Sequence, residues 1–286
     1  MKKLLFAQII FAFALFFHSC GNVIPTEAAV EDDAKLLLAQ ANEAYSAKEY
    51  NKARMLMDSI RRAYPKAFKT LCEVEELYHK VLVDEKLRDV AFYENELAEL
   101  VALRDSVVRG FDRRKDPKYD DKAVYSVPSQ AISKNSNNCF MRATVDESGD
   151  AVITSFYRGN RIGYDRIKLS SGGLFVEASV DSAVRSWTGK EYGVYVERHG
   201  FRLGNDGGMM QFIASADGKV VVELIGDGKS YSYELRKEDV SAVTQVLELQ
   251  RLLASIIETR SMLDSALYAL SYLNHDVQES QPDSII

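Results

Sequence analysis

The sequence predicts an α+β protein in which helical segments towards both ends of the chain flank an antiparallel, β-rich section. Two patterns carry this. Apolar residues recur every three to four positions over 34–112 and again over 237–276, and between 130 and 236 the period switches to two. A chain of 286 residues, 47% hydrophobic and 27% charged, has the apolar material for a sizeable core and for one to three domains. A formal net charge of −6 lacks the basic signature of nucleic-acid binders. Three cysteines exclude a disulfide framework, and four histidines leave little material for a metal cluster.

Residues 1–22 read MKKLLFAQIIFAFALFFHSCGN. Lys2 and Lys3 form a positive start, and Leu4 to Phe17 form an apolar run broken only by Gln8. A bilayer-spanning helix needs about 20 apolar residues, so this run fits a signal peptide better than a permanent span. The stretch Phe17-His18-Ser19-Cys20-Gly21 resembles a bacterial lipobox. That resemblance implies a signal peptide over 1–19, cleavage before Cys20 and a lipid on Cys20. Several acyl chains on one cysteine anchor a protein stably, each buried CH2 contributing about 0.8 kcal/mol. Residues Gly21 to Ile24 carry no Asp after the cysteine. By the same resemblance this favours the outer membrane, on the periplasmic face rather than the cell surface.

Residues 20–33, with Pro25 and the acidic Glu31-Asp32-Asp33, are expected to be a tether. From Ala34 helical spacing sets in: Leu37, Ala41, Ala44 and Tyr45, then Tyr50, Ala53, Met57, Ile60 and Tyr64, with Pro65 as a stop. The helix–turn–helix so formed, residues 34–65, resembles one tetratricopeptide repeat. The family's small residues fall on Ala41 and Ala53, its aromatic on Tyr50 and its closing proline on Pro65. Gln40 and Ala44 depart from the pattern. Only one copy is visible, so the hairpin has to bury its face against other parts of the chain. The resemblance implies a surface for protein contacts.

Residues 66–112 continue helically, without Gly or Pro until Gly110, and a second long stripe occupies 237–276. Pairing the two as antiparallel, coiled-coil-like helices is the simplest way to cover both stripes, with Arg260 interrupting the seam. Between them lie a mixed-charge linker, 113–129, and a β-rich, sandwich-like domain, 130–236. Its strands are expected at 139–145, 151–157, 192–198, 209–214, 220–225 and 230–235. Asp146 to Asp150, Ala216 to Lys219 and Gly226 to Lys229 supply turns. Residues 277–286 are expected to form a disordered tail.

The sequence offers no local catalytic motif. His79, His199 and His275 fall in separate elements with no metal-ligand spacing, and neither a phosphate-binding loop nor a dinucleotide fingerprint occurs. Gly204-Asn205-Asp206-Gly207-Gly208 lacks the further carboxylates of an EF-hand and reads as a turn. No metal, cofactor or catalytic residue is therefore expected. Cys72 and Cys139 are either a disulfide or a pair of thiols.

The candidate ligand surface is Tyr157, Arg158, Arg161, Tyr164 and Arg166, with Trp187, the single tryptophan. Such residues stack on sugar rings or clamp anions, and they also describe an ordinary solvated β-loop. The expected function is a lipid-anchored, non-catalytic scaffold or adaptor of the cell envelope that binds a protein or peptide partner. The alternative is a glycan- or polyanion-binding module. An enzyme would need a site assembled wholly by the fold.

Overall fold

The computed structural model describes residues 27–118 and 120–279. The signal segment, Cys20 and residues 280–286 lie outside the described residues. The helices are α1 (Glu27–Ser46), α2 (Tyr50–Ala63), α3 (Phe68–Val107), α4 (Ile132–Asn135), α5 (Met209–Ser215) and α6 (Lys237–Glu279). The strands are β1 (Asp112–Arg114), β2 (Val124–Ser126), β3 (Phe140–Asp146), β4 (Ala151–Gly159), β5 (Tyr164–Ser171), β6 (Leu174–Ser179), β7 (Arg185–Glu191), β8 (Val194–Arg202), β9 (Val221–Gly226) and β10 (Lys229–Glu234). The chain is thus α+β and divides into two compact units. One comprises the chain up to Arg88 with Tyr268 onward, the other Asp89–Leu267.

In the helical unit, α1, α2 and the first part of α3 share a core of Ala34, Leu38, Ala41, Ala44, Ala53, Met57, Ile60, Ala67, Val74, Leu77 and Val81. Alanines on α1 and α2 let the helices approach closely, and Met57 and Ile60 fill the remaining space. The end of α2 at Ala63 follows from Pro65, which biases the preceding residue away from helix. Polar bonds set the register: Glu31 accepts from the Thr70 amide and hydroxyl at 2.8 and 2.9 Å, and the Tyr45 hydroxyl donates to Asp84 at 2.8 Å. Helix α1 already starts at Glu27, so the segment expected to be a tether is helical from there on. Glu27, Ala28 and Ala29 are good helix formers, and an acidic residue in the first turn complements the helix dipole.

The β unit contains two antiparallel sheets, in strand orders β1-β2-β3-β4-β8-β7 and β10-β9-β5-β6. Their shared core includes Met141, Ala143, Val145, Ile153 and Phe201 from the first sheet and Ile167, Leu169, Val222 and Leu224 from the second. Met209, Met210 and Ile213 of α5 and Ala242, Val243, Val246, Leu247, Leu249 and Leu253 of α6 complete it. Lys237–His275 is long and apolar enough by composition to cross a membrane, but the first part of α6 is spent on this core. Gln130 fastens the two together. Its amide donates to the Met141 carbonyl at 2.6 Å and to Asp239 at 3.2 Å, and its oxygen accepts from the Ala143 N–H at 2.9 Å.

Four sequence expectations need correction here. The stretch 113–129 is not a linker: β2 pairs with β3 in the register Val124↔Asp146, β1 pairs with β2, and Tyr125 and Val127 are buried. A charged, solvent-facing edge strand looks like a loop when only polarity is read. Residues 209–214 form a helix rather than a strand. Met209, Met210 and Ile213 share one buried face at helical spacing, and buried Asp206 accepts from the Gly208 and Met210 amides at 3.2 and 2.9 Å. Gly207 (φ +60) passes so close to the Glu177 carbonyl that a side chain there has no room. Residues 164–191, inside the expected β-rich domain but outside its expected strands, contain β5, β6 and β7. At the C-terminus, 277–279 belong to α6, so the expected tail is helical over those residues.

Candidate functional site

The residues 157–168 do not form one exposed cluster. Tyr157 and Tyr164 face inward and are 4% and 3% exposed. The Tyr157 hydroxyl donates to the Asn160 carbonyl at 2.8 Å, and Tyr164 donates to Ser155 Oγ at 3.1 Å. Burial raises the pKa of both phenols. The loop between them is pinned by Glu197, a fully buried carboxylate that accepts from the amides of Ile162, Gly163 and Tyr164. Arg161 is exposed at this turn, and its carbonyl accepts from Lys229. Arg166, on β5 of the four-stranded sheet, pairs with Glu177 of the neighbouring β6 at 3.1 Å. Arg158 donates to the Glu191 carbonyl at 3.4 Å. These side chains serve folding and point in different directions.

Trp187 stands on β7 and is 43% exposed. Its ring lies across Gly189, where a Cβ would approach it to 2.7 Å, a glycine covered by the aromatic two residues before it. The Arg198 guanidinium sits 5.0 Å from the Trp187 ring and 5.5 Å from that of Phe156, which stacks on Phe140 at 4.6 Å. The pairing Trp187↔Arg198↔Phe156↔Phe140 makes this one continuous row across four strands. Arg198 is neutralised by Glu191 at 2.6 Å.

The neighbouring row differs. It runs Arg185↔Gly200↔Thr154↔Arg142, and it forms part of a cleft of about 510 Å³ on the outer face of the six-stranded sheet. Arg114, Arg142, Arg185 and Arg202 line this cleft together with Ser126, Thr144, Thr154, Asp120, Asp146 and Asp150. The basic and acidic groups are unequally occupied. Asp150 holds Arg202 at 2.9 Å. Asp146 accepts from the Ser148 and Asp150 amides and the Ser148 hydroxyl. Burial opposes its ionisation, but these bonds outweigh it and hold the carboxyl below its ordinary pKa. Asp120 accepts from the Asp116 amide at 2.8 Å.

Arg142, Arg114 and Arg185, in contrast, have no carboxylate within ion-pair distance among the described residues. Arg142 is half-buried. One Nη2–H goes to Ser126 Oγ at 3.1 Å, while its buried Nε–H has no acceptor among the described residues. Burial, then the charge of nearby Arg114, lowers its pKa from the ordinary arginine value, and Asp112 offsets part of this. A half-buried guanidinium with an unmet N–H costs free energy.

No side chain from β8 stands between Arg142 and Arg185 on the row, because position 200 is glycine. A Cβ there would meet Thr154 Oγ1 at 3.3 Å and Val152 Cγ1 at 3.4 Å. The sequence carries only a faint signal for this site. Arg142 breaks an apolar run in Cys139-Phe140-Met141-Arg142-Ala143-Thr144-Val145. Its opposition to Thr154 rather than to an acid becomes visible only once the register is known.

Ser186 Oγ lies 2.9 Å from Nδ1 of His199, but Glu197 spends its carboxylate on backbone amides, so the three do not form a relay. Among the described residues no group of three or more His, Cys, Asp and Glu side chains is placed to hold a metal ion. Cys72 and Cys139 are both free thiols, the first exposed and the second half-buried, so neither a disulfide nor a buried pair is formed. The chain matches no known family, no curated protein and no solved structure.

Proposed function

We propose that this chain is a membrane-tethered, non-catalytic scaffold or adaptor of the cell envelope that holds an anionic partner against the outer face of its six-stranded sheet. The observation that supports it is the set Arg114, Arg142 and Arg185, which line one cleft without carboxylate partners in the described chain. Guanidinium groups recognise carboxylates, phosphates and sulfates through paired, charge-assisted hydrogen bonds. Attachment is assigned to a lipid on Cys20, at the outer membrane and on its periplasmic face. In this reading the tetratricopeptide-like hairpin of α1 and α2 offers a second protein-contact surface.

The test is cross-linking of the tagged protein in its native envelope, comparing the parent with Arg142→Gln/Arg185→Gln. A partner recovered in stoichiometric amount with the parent and lost from the double variant supports the reading. Identical recovery from both removes the cleft from it. Replacement of Cys20 by Ala is expected to release the protein from membranes, and continued retention would remove the lipid anchor.

A second reading, a glycan-binding module, rests on Trp187, whose half-exposed ring lies flat on the sheet as a stacking platform. Glycan-array binding that disappears with Trp187→Ala would favour it.

A further inference from the structure

We infer that β7 is the interface for a second copy of this chain, the two β7 strands pairing antiparallel about a two-fold axis at Thr188. This interface goes beyond the cleft reading. Arg185 borders both, but Arg114 and Arg142 have no part in the pairing, and its failure leaves that reading as it stood.

Strand β7 ends the six-stranded sheet and pairs only with β8. A two-residue turn, Tyr192 (φ +51) and Gly193 (φ +84), joins Glu191 to Val194. Such a turn closes on a hydrogen-bonded pair, so Glu191, Gly189 and Trp187 direct their backbone groups at β8. The amides and carbonyls of Ser186, Thr188 and Lys190 therefore point away from the sheet. Among the described residues no other backbone group bonds to them, and all three residues are exposed. The β6 edge differs, because the Gly207 backbone lies against its Glu177 carbonyl. Natural sheets guard an open edge with proline, a bulge or lysine. Strand β7 has neither a proline nor a register shift, and its Lys190 lies over its own Tyr195 ring at 4.9 Å.

The strand is also self-complementary. An axis at Thr188, its central residue, sets Thr188 opposite the partner's Thr188 and Ser186 opposite the partner's Lys190. It sets Trp187 opposite the partner's Gly189 and Arg185 opposite the partner's Glu191. Every outward amide and carbonyl of both strands is then bonded. Arg185, which has no carboxylate at ion-pair distance among the described residues, gains one in a close pair. Glu191 holds Arg198 at 2.6 Å and keeps lone pairs for a second guanidinium. Trp187 already lies across Gly189 of its own strand, so the two rings fit side by side with no side chain between them. Other registers lose these pairs. An axis at Lys190 opposes two lysines and runs into the Tyr192 turn, one at Ser186 sets Arg185 against the partner's Trp187, and one at Trp187 sets Glu191 against the partner's Ala183.

Seven residues a side make a small interface, so half-association is expected at roughly 10–100 µM. Sedimentation equilibrium of the full chain in density-matched detergent, read beside the emission of Trp187, the single tryptophan, tests this. The parent is expected to dimerise as its concentration rises, its emission moving to the blue as the half-exposed ring is covered. Arg185→Glu should weaken the dimer at least about 10-fold, because the two-fold axis places the like charges twice. Thr188→Pro removes the central outward amide, which an edge strand tolerates, and should weaken it as much with an unchanged circular dichroism spectrum. Glu191→Lys alone should behave like Arg185→Glu, yet an equimolar mixture of the two should recover association to within about 3-fold of the parent. Loss in the single variants without recovery in a mixture of folded chains overturns the register. If Glu191→Lys fails to fold for want of its Arg198 pair, Arg185→Glu and Thr188→Pro decide the interface. A dimer indifferent to both, or a parent that stays monomeric with constant emission up to about 200 µM, overturns it.

Discussion

The two faces of the six-stranded sheet each hold a charge withdrawn from water, and they treat it in opposite ways. On the inner face Glu197 is fully buried, and the amides of Ile162, Gly163 and Tyr164 bond its carboxylate within the chain. On the outer face Arg142 is half-buried, holds one hydroxyl and keeps an N–H without an acceptor among the described residues. A buried ion that maintains a fold has its bonding saturated internally, because each missing bond costs about 1–3 kcal/mol. An ion kept for recognition leaves bonding capacity open and accepts that cost. The contrast makes Glu197 a structural group and fits the proposed binding role of Arg142, although both are charged residues inside apolar strand patterns.

The largest effect expected from this contrast is at Glu197. Replacing it by Ala leaves three amides at the start of β5 without their acceptor and opens the connection between the two sheets. The loss should be about 3–5 kcal/mol, the range for breaking a buried charged network. It is measured as a fall in the denaturant midpoint with unchanged slope. A loss below about 1 kcal/mol would mean that the 160–164 turn is held by other contacts, and the distinction between the faces would fail.

A smaller effect is expected from His199, beside Glu197 on the inner face. Burial lowers its pKa below the ordinary 6.5, and the Glu197 charge offsets only part of that. The folded state therefore resists protonation while the unfolded chain accepts it. In the window from 6.5 down to the depressed folded value, the unfolded state binds more protons, so stability falls as pH falls. Its contribution is complete above pH 6.5. His199→Gln, which keeps a hydrogen-bonding group towards Ser186 and has no charge to gain, should flatten this part of the stability profile. An unchanged slope would assign the pH dependence to other groups.

The difference in legibility between regions follows the same physics. The helical unit was readable because Ala41, Ala53, Met57 and Ile60 repeat at a period that only a helix can place on one face, and all four lie in its core. Strands β3, β4, β9 and β10 were readable from alternation and glycine turns. Helix α5 was not: seven residues give too few turns to separate period 3.6 from period 2, and its cap, Asp206, hides in a glycine-rich run. Edge strand β1 and the exposed β7 carry too little apolar alternation to register. The outer-face cleft was illegible for a different reason. Arg114, Arg142 and Arg185 come from three strands scattered over more than seventy positions, and only the register Arg185↔Gly200↔Thr154↔Arg142 aligns the last two on one row. The polar groups of residues 157–168 are adjacent in sequence, yet alternate strand residues face opposite ways, which divides such a cluster between interior and surface.

The smallest stability change, and the sharpest test of the contrast, is expected from Arg142→Met. The substitution retains the aliphatic stem that packs on the sheet and removes a guanidinium whose burial and repulsion from Arg114 oppose folding. It also frees Ser126, whose hydroxyl can bond elsewhere. Stability should stay within about 1 kcal/mol of the parent or rise, as happens when a group retained for function is replaced by a better-packing one. Thermal unfolding read beside anion titration gives both halves: Tm unchanged or higher, with anion affinity reduced at least 10-fold. A Tm that falls as steeply as with Glu197→Ala would place Arg142 among the residues that hold the sheet together. The cleft would then be a by-product of packing rather than a surface kept open for a ligand.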